Sequence, residues 1–131
     1  MNDVAPIAPG EIATAAALIA GYIRRTPTIQ LQGVELGSEQ VNTLVLKLEL
    51  LQHTGSFKAR GAFTNLLSRT IPQAGIVAAS GGNHGAAMAY AAQVLGITAK
   101  IFVPSISSRA KIDRIRSYGA DLVVAGDLYA E

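Results

Sequence analysis

The stretch GIVAASGGNHG, residues 75–85, decides the fold that the sequence predicts. It begins with a short, continuously apolar run from Gly75 to Ala79, which is typical of a β-strand covered on both faces. A glycine-rich loop follows, and the alanine-rich residues from Asn83 to Leu95 predict a tightly packed helix. A strand, a loop and a helix in this order form the repeating unit of a parallel α/β sheet.

The same unit recurs on both sides of this stretch. The pattern predicts four strands over residues 44–49, 75–79, 99–103 and 121–125, and three intervening helices over 57–69, 83–95 and 108–118. Such alternation favours an open parallel sheet with helices on both faces. Since right-handed crossovers bring the strand-to-helix loops to one edge, we expect a ligand site there. The pattern also predicts a helix over 11–22, a short strand over 28–31 and a loop over 34–42 ahead of this run.

Composition excludes several classes of protein. The chain has 131 residues, half of them hydrophobic, which fits one ordinary domain with a real core. Without cysteine there are no disulfides or thiolate zinc sites, and two histidines without a carboxylate cluster predict no metal site. The net charge is only +2, and four of the eleven basic residues fall in the predicted helix over 108–118. They indicate a solvated helix face rather than a nucleic-acid partner. No secretory or membrane segment is found, so we expect a cytoplasmic protein.

The stretch GSFKARGA, residues 55–62, places a single lysine among small residues at the predicted start of a helix. Ser56 is a natural N-cap, so Lys58 would lie in the first turn, where the helix dipole disfavours a positive charge. Burial would act in the same direction and favour a neutral, nucleophilic amine suited to Schiff-base chemistry. The alternative is an ordinary surface lysine, and the residues of this stretch leave both interpretations open.

The glycine-rich loop could bind an anion. Its glycines expose backbone N–H groups at a helix N-terminus, and the side chains of Ser80 and Asn83 could add hydrogen bonds. The alternative is a tight turn in which Asn83 caps the helix and His84 is a capping or core residue. Thr54, which precedes the lysine, could also hydrogen-bond an anion. The spacing fits neither G-x-G-x-x-G nor the P-loop, so a nucleotide-binding domain is poorly supported.

Together the two stretches resemble motifs of a known enzyme group. LLQHTGSFKARGA, residues 50–62, resembles the cofactor-lysine motif of the fold-type II pyridoxal phosphate (PLP) enzymes, and ASGGNHG, residues 79–85, resembles their substrate-carboxylate loop. RTP, residues 25–27, matches a motif common near their N-termini. The group most resembled is the serine/threonine dehydratases (threonine ammonia-lyases) and serine racemases, and the likeness runs from about residue 11 to the end.

This resemblance implies a role for each site residue. Lys58 would hold PLP as a Schiff base and shuttle the Cα proton, Phe57 would pack beside the cofactor ring, and Asn83 would hydrogen-bond its phenolic oxygen. The substrate carboxylate would be bound around one pocket by Thr54, Ser80, Gly81, Asn83 and His84. With the cofactor as electron sink, a hydroxy-amino acid would lose its β-hydroxyl and yield a 2-oxo acid and ammonia. No metal, nucleic acid or membrane is implied as a partner.

Two departures from the family pattern qualify these roles. Gly81 stands where the racemases usually carry a second, acid–base serine, and glycine cannot transfer a proton, so elimination is favoured over racemisation. Family members are also much longer, and their phosphate-binding glycine loop lies beyond the part resembled here. We therefore expect residues 1–42 to belong to a larger domain and 43–131 to a smaller α/β domain, incomplete at its C-terminus.

The length also bears on activity. The complete enzyme is expected to be a homo-oligomer, and this chain alone to bind PLP weakly with little or no dehydratase activity. The alternatives are a serine racemase of the same family and a non-catalytic fragment that binds a ligand or partner.

Overall fold

The computed structural model describes residues 6–37, 40 and 42–127, so residues 38, 39 and 41 of the predicted loop lie outside the described part. Its helices are α1 (Pro9–Ile19), α2 (Lys58–Leu67), α3 (Asn83–Leu95) and α4 (Arg109–Ser117). Its strands are β1 (Thr28–Gln32), β2 (Thr43–Lys47), β3 (Ile76–Ala79), β4 (Ala99–Val103) and β5 (Asp121–Val124). Short 3-10 turns cover residues 33–36, 49–51 and 53–55.

Strands β3, β4 and β5 form a parallel sheet in that order, which confirms the predicted α/β class. The central strand β4 alternates between a buried and an exposed face, with Ile101 and Val103 buried and Phe102 exposed. Helices α3 and α4 pack on the buried face, where Ile115 of α4 and Ala87 of α3 join the same core cluster. The hydrophobic core therefore lies between this sheet and its two crossover helices, and it extends to α2 and α1 through Phe63 and Ile19.

In the described part of the chain, both crossover helices, α3 and α4, lie on the same face of this sheet. On the opposite face, among the described residues, Val77 is 69% exposed and Phe102 is 39% exposed. The physical reason is the strand order. Both crossovers step in the same direction across the sheet, and right-handed connections then place α3 and α4 on the same side.

The strand predicted over 44–49 is not part of the parallel sheet, and this detail of the prediction is wrong. Strand β2 pairs antiparallel with β1, with Thr28 opposite Lys47 and Gln32 opposite Thr43. A chain segment of alternating apolar residues indicates a strand but does not identify its partner. Two 3-10 turns separate β2 from helix α2. The lysine stretch was predicted to be a strand-to-helix loop of the parallel sheet, and it is not one, because β2 lies outside that sheet.

Helix α2 reaches the parallel sheet through its packing on α3. Its residues Ala59, Ala62, Phe63 and Leu66 are buried, and Leu67 is partly buried. The ring of Phe63 stacks on Tyr22 at 5.2 Å between ring centres and meets the edge of Tyr90 of α3 at 6.0 Å. Because α3 is rich in alanine, α2 can approach it closely, which brings the first turn of α2 beside β3.

Neither a membrane-spanning helix nor a metal-binding cluster occurs in the described part of the chain. No helix there is long and apolar enough to cross a bilayer, and α3, the longest, has 13 residues. Histidine, aspartate and glutamate side chains do not gather in groups of three or more that could hold a metal ion.

Candidate active site

A cleft of about 450 Å³ lies between α2, β3 and the start of α3. Helix α2 contributes Lys58 and Gly61, β3 contributes Val77 and Ala79, and α3 contributes His84. Pockets for small molecules commonly enclose roughly 300–1,000 Å³. The cleft is therefore large enough for a small ligand, and both stretches singled out in the sequence contribute to its walls.

Lys58 is the first residue of α2, as the sequence predicts. The Ser56 hydroxyl accepts a hydrogen bond from the Lys58 backbone N–H at 3.4 Å, although Phe57 occupies the cap position itself. The Lys58 amine lies 4.9 Å from the centre of the Phe57 ring. Lys58 is exposed, so the predicted burial of its amine is not found. Its predicted position in the first turn of the helix is found.

The turn before Lys58 has an unusual backbone. Thr54 adopts a left-handed conformation, with φ 58° and ψ 18°, and Gly55 follows with φ 63°. For a β-branched residue this region costs on the order of 1–3 kcal/mol. Thr54 is only 7% exposed, and its hydroxyl has no hydrogen-bond partner among the described residues. Thr54 does not line the cleft but lies in the turn that leads into it.

The buried side chain of Gln52 attaches this turn to the N-terminal segment. Its Oε1 accepts hydrogen bonds from the backbone N–H of Arg24 at 2.9 Å and of His53 at 3.0 Å. Its Nε2 donates to the backbone carbonyl of Arg24 at 2.8 Å. The amide thus bonds to Arg24 much as a neighbouring β-strand would.

Glu49 and Arg60 form a second attachment. Arg60 donates to the Glu49 carboxylate from Nε at 2.8 Å and from Nη2 at 2.7 Å, and Thr26 Oγ1 donates to it at 2.5 Å. These side-chain hydrogen bonds, first among them those of Arg60, hold the pKa of Glu49 below its usual value. The same pairing raises the pKa of Arg60. Two-point pairing of this kind is stronger and more directional than a single ionic contact.

His53 links the turn to α3. Its ring stacks on Tyr90 at 5.0 Å, and its Nδ1 lies 3.1 Å from the Tyr90 hydroxyl. Burial lowers the pKa of His53, and the nearby charge of Arg24 adds to that effect. The neutral imidazole is therefore favoured at this position.

The glycine-rich loop is shaped by backbone contacts. The Gly82 N–H donates to the Ser80 hydroxyl at 3.3 Å, and Gly82 caps α3, whereas Asn83 is its first helical residue. A Cβ atom on Gly85 would collide with the carbonyl oxygen of Ser80, so only glycine permits α3 to begin this close to the loop. Gly81 is buried, and Ser80 is half-buried.

The structure brings together some of the predicted site residues and not others. Lys58, Phe57 and His84 line one cleft, although they come from two separate stretches. The four remaining predicted residues do not line the cleft, although each is close in sequence to a residue that does: Thr54, Ser80, Gly81 and Asn83.

Two lining residues lie outside the stretches of sequence that were singled out. Asn65 lies seven residues after Lys58, and Met88 lies four residues after His84, and both line the cleft. Such spacings place two residues on the same face of a helix. The helical period was thus an available signal for both.

Residues 19–131 match the family model described as pyridoxal-phosphate dependent enzyme. The chain belongs to this family. It is 40% identical over 124 residues to the catabolic L-threonine dehydratase TdcB of Staphylococcus aureus, across 93% of this chain and 36% of that protein. It is 43% identical over 117 residues to phenylserine dehydratase of Ralstonia pickettii, across 87% and 35%. The structure of maize serine racemase is similar, with a TM-score of 0.79 and 33% identity over 88% of this chain and 35% of that one.

These similarities confirm the predicted resemblance and bound its reach. The chain spans little more than a third of the length of the curated relatives it matches. Over that part, the parallel sheet, its helices and the lysine stretch all belong to the matched region.

The residues around the cleft fit one end of PLP. A primary amine stands beside an exposed aromatic ring at an open cleft, and the buried Thr54 hydroxyl nearby lacks a partner among the described residues. Of the described residues that line the cleft, only Lys58 and His84 can carry positive charge. The cleft therefore suits an aldehyde and a flat ring, whereas a phosphate group would need further donors.

Proposed function

We propose that this chain is the lysine-bearing part of a PLP-dependent lyase, a dehydratase that converts a hydroxy-amino acid into a 2-oxo acid and ammonia. One observation carries the proposal: Lys58 and His84, from the two family motifs, line a single cleft. The names of two relatives support the substrate class, since threonine and phenylserine both carry a β-hydroxyl group.

When bound, PLP supplies an electron sink for the bond broken at the substrate Cα. Lys58 would hold the cofactor through Nζ, and its amine would take the proton from the substrate Cα while the β-hydroxyl leaves with a proton as water. Phe57 would pack beside the cofactor ring, and Asn83 would hydrogen-bond its phenolic oxygen. The fixed position of Lys58 in the first turn of α2 keeps its amine at the mouth of the cleft.

The substrate carboxylate is assigned to the glycine-rich loop. The N-terminus of α3 carries partial positive charge, which favours an anion. Ser80, Gly81, Asn83 and His84 would hold this group, and Thr54 would approach it from the lysine turn. The buried Thr54 hydroxyl, which has no hydrogen-bond partner among the described residues, would gain an acceptor if the anion reached it.

Serine racemisation at the same site is the second candidate, and the likeness to maize serine racemase favours it. Racemisation needs an acid–base group on each face of the substrate, and Gly81 offers none on the second face. We therefore rank elimination first. Interconversion of L- and D-serine by the complete enzyme, at a rate comparable with elimination, would reverse this order.

Reductive trapping tests the proposal directly. The chain is incubated with PLP, reduced with borohydride and measured by intact mass spectrometry, and the modified lysine is then mapped. We expect a weakly formed adduct on Lys58 that disappears in Lys58→Ala. An adduct confined to other lysines would refute the assignment of Lys58. Tight, complete loading of the isolated chain would instead refute the expected weakness of the partial site.

The wider setting of the site stays a prediction. We infer a fold-type II enzyme in which residues 1–42 belong to a larger domain and 43–131 to a smaller one, with the β1–β2 pairing joining the two. A cytoplasmic, homo-oligomeric complete enzyme follows from the same resemblance.

A further inference from the structure

The turn that precedes Lys58 is strained and needs to be held in place. Thr54 and Gly55 are both left-handed, and a β-branched residue in this conformation persists only where its surroundings enforce it. Gln52 does so at both ends of the turn. Its side chain accepts from the His53 N–H, and its backbone carbonyl accepts from the Gly55 N–H at 2.9 Å.

Gln52 is itself fixed from outside the turn. Its buried amide makes two further hydrogen bonds to the backbone of Arg24, which is distant in sequence. The conformation of the turn is thereby tied to the N-terminal segment. Loss of the Gln52 amide would release the turn and leave backbone groups of Arg24 without these partners.

The Glu49–Arg60 pair joins the segment before the lysine turn to the first turns of α2. Glu49 precedes the lysine turn, Arg60 lies two residues after Lys58 on the same helix, and two hydrogen bonds join them. Glu49 is in turn bonded by Thr26 of the N-terminal segment. The start of α2 is therefore fixed relative to the same segment that holds Gln52.

We propose that Gln52, Glu49 and Arg60 are positioning residues for Lys58. They hold the strained turn and the first turn of α2 so that the Lys58 amine stays at the cleft. None of the three lines the cleft, so they act through the backbone of Lys58 and not by touching a ligand. The inference rests on the proposed function, in which Lys58 is the reacting amine.

The four lysines of the chain permit an internal comparison: Lys47, Lys58, Lys100 and Lys111. The chain is treated with limiting PLP, reduced with borohydride and digested, and the modified fraction of each lysine is measured. Gln52→Met and Arg60→Met remove the two attachments at nearly constant side-chain length. Gln93→Met and Arg69→Met make the same changes at exposed positions and are the matched controls. Thermal unfolding of each variant shows whether it is folded.

We expect Lys58 to be modified in preference to the other three lysines in the wild-type chain and both controls. Because misplacement of a reacting group by about 1 Å can cost roughly 100-fold in rate, we expect a loss of roughly tenfold in this preference in Gln52→Met and Arg60→Met. Gln52→Glu keeps the accepting oxygen but replaces the donor to the Arg24 carbonyl with a charged oxygen, so its preference for Lys58 should also fall below that of the wild type.

Each other outcome decides the matter. Folded Gln52→Met and Arg60→Met chains that keep the wild-type preference would overturn the positioning role while leaving the proposed function intact. A wild-type chain without any preference for Lys58 would overturn the proposed function and this inference with it. If the methionine variants do not fold, Gln52→Glu decides: a folded Gln52→Glu chain with undiminished preference overturns the role, and a diminished one supports it.

Discussion

The lysine turn, residues 52–58, and the glycine loop, residues 80–85, meet at the same cleft but are held by different forces. Polar side chains hold the lysine turn, through the bonds of Gln52 and of the Glu49–Arg60 pair. Close backbone packing holds the glycine loop, where Gly85 lies against the Ser80 carbonyl and the Ser80 N–H donates to Phe102 at 2.9 Å. Substitutions that remove charge or hydrogen bonds should destabilise the lysine turn, and substitutions that add side-chain volume should destabilise the glycine loop.

The largest effect is expected from Gly85→Ala. The new methyl group would meet the backbone carbonyl of Ser80, which cannot move aside as a flexible side chain could. Overpacking of this kind commonly costs about 1–3 kcal/mol, and a backbone contact should fall at the upper end. Urea unfolding of the variant would measure the loss in the free energy of unfolding.

Gly61→Ala is the control for this prediction. A Cβ at Gly61 meets no atom within 4 Å, and the residue lies inside helix α2. Replacement of glycine by alanine in a helix should stabilise the chain by up to about 1 kcal/mol. Equal destabilisation by both changes would contradict a steric role for Gly85.

The next effect is expected from Glu49→Gln. The substitution keeps the shape of the side chain but removes the charge that accepts two hydrogen bonds from Arg60 and one from Thr26. Hydrogen bonds to charged groups contribute about 1.5–3 kcal/mol, so we expect a loss near the lower figure, since Arg60 keeps some solvent contact. Denaturant unfolding measures it, with the exposed Glu35→Gln as control. A loss no greater than that of the control would show that the pair does not hold the turn.

Two threonine substitutions are expected to have smaller effects of opposite sign. Thr54→Val replaces a buried hydroxyl without a partner among the described residues by a methyl group of similar shape, and should stabilise the chain by about 1 kcal/mol. Thr26→Val removes a buried hydroxyl that donates to Glu49, and should destabilise it by a similar amount. Differential scanning calorimetry of the two variants checks the signs. Destabilisation by both would mean that the Thr54 hydroxyl has a partner.

The smallest effect concerns pH. The folded chain lowers the pKa of both His53 and Glu49, so the unfolded chain binds more protons just below their usual values. The free energy of unfolding therefore decreases as the pH is lowered. The decrease begins below about pH 6.5 for His53 and below about pH 4.3 for Glu49. His53→Phe keeps the stacking on Tyr90 and removes the first decline. Urea unfolding of the wild-type and His53→Phe chains at about pH 7.5 and pH 5.5 measures this decrease. An equal decrease in the free energy of unfolding of both chains would contradict the lowered pKa of His53.

Local patterns in the sequence were sufficient to predict most elements of the fold. The helices and strands of the parallel sheet follow from apolar period and glycine punctuation, which depend on neighbours along the chain. The pairing of β2 with β1 could not be read in this way, because strand partners are chosen by long-range packing. The one-sided helix layer depends on strand order, which the pattern also leaves open.

In the candidate site, too, local features could be predicted from the sequence and long-range contacts could not. Lys58 and the Ser80–Gly85 loop were recognisable because their residue types and spacing are unusual. The bond between Gln52 and Arg24 joins residues far apart in the chain, and nothing in the composition of either segment indicates it. The left-handed Thr54 was equally hidden, since threonine ordinarily avoids that conformation.

Amide chemical shifts test the central claim most directly, which is that two differently held loops form one site around Lys58. In a titration of the isotopically labelled chain with PLP, we expect the amides of residues 55–58 and 81–84 to shift together. The same titration of Lys58→Ala should leave both sets nearly unmoved. Shifts confined to one loop, or shifts of both loops that persist unchanged in Lys58→Ala, would contradict the account.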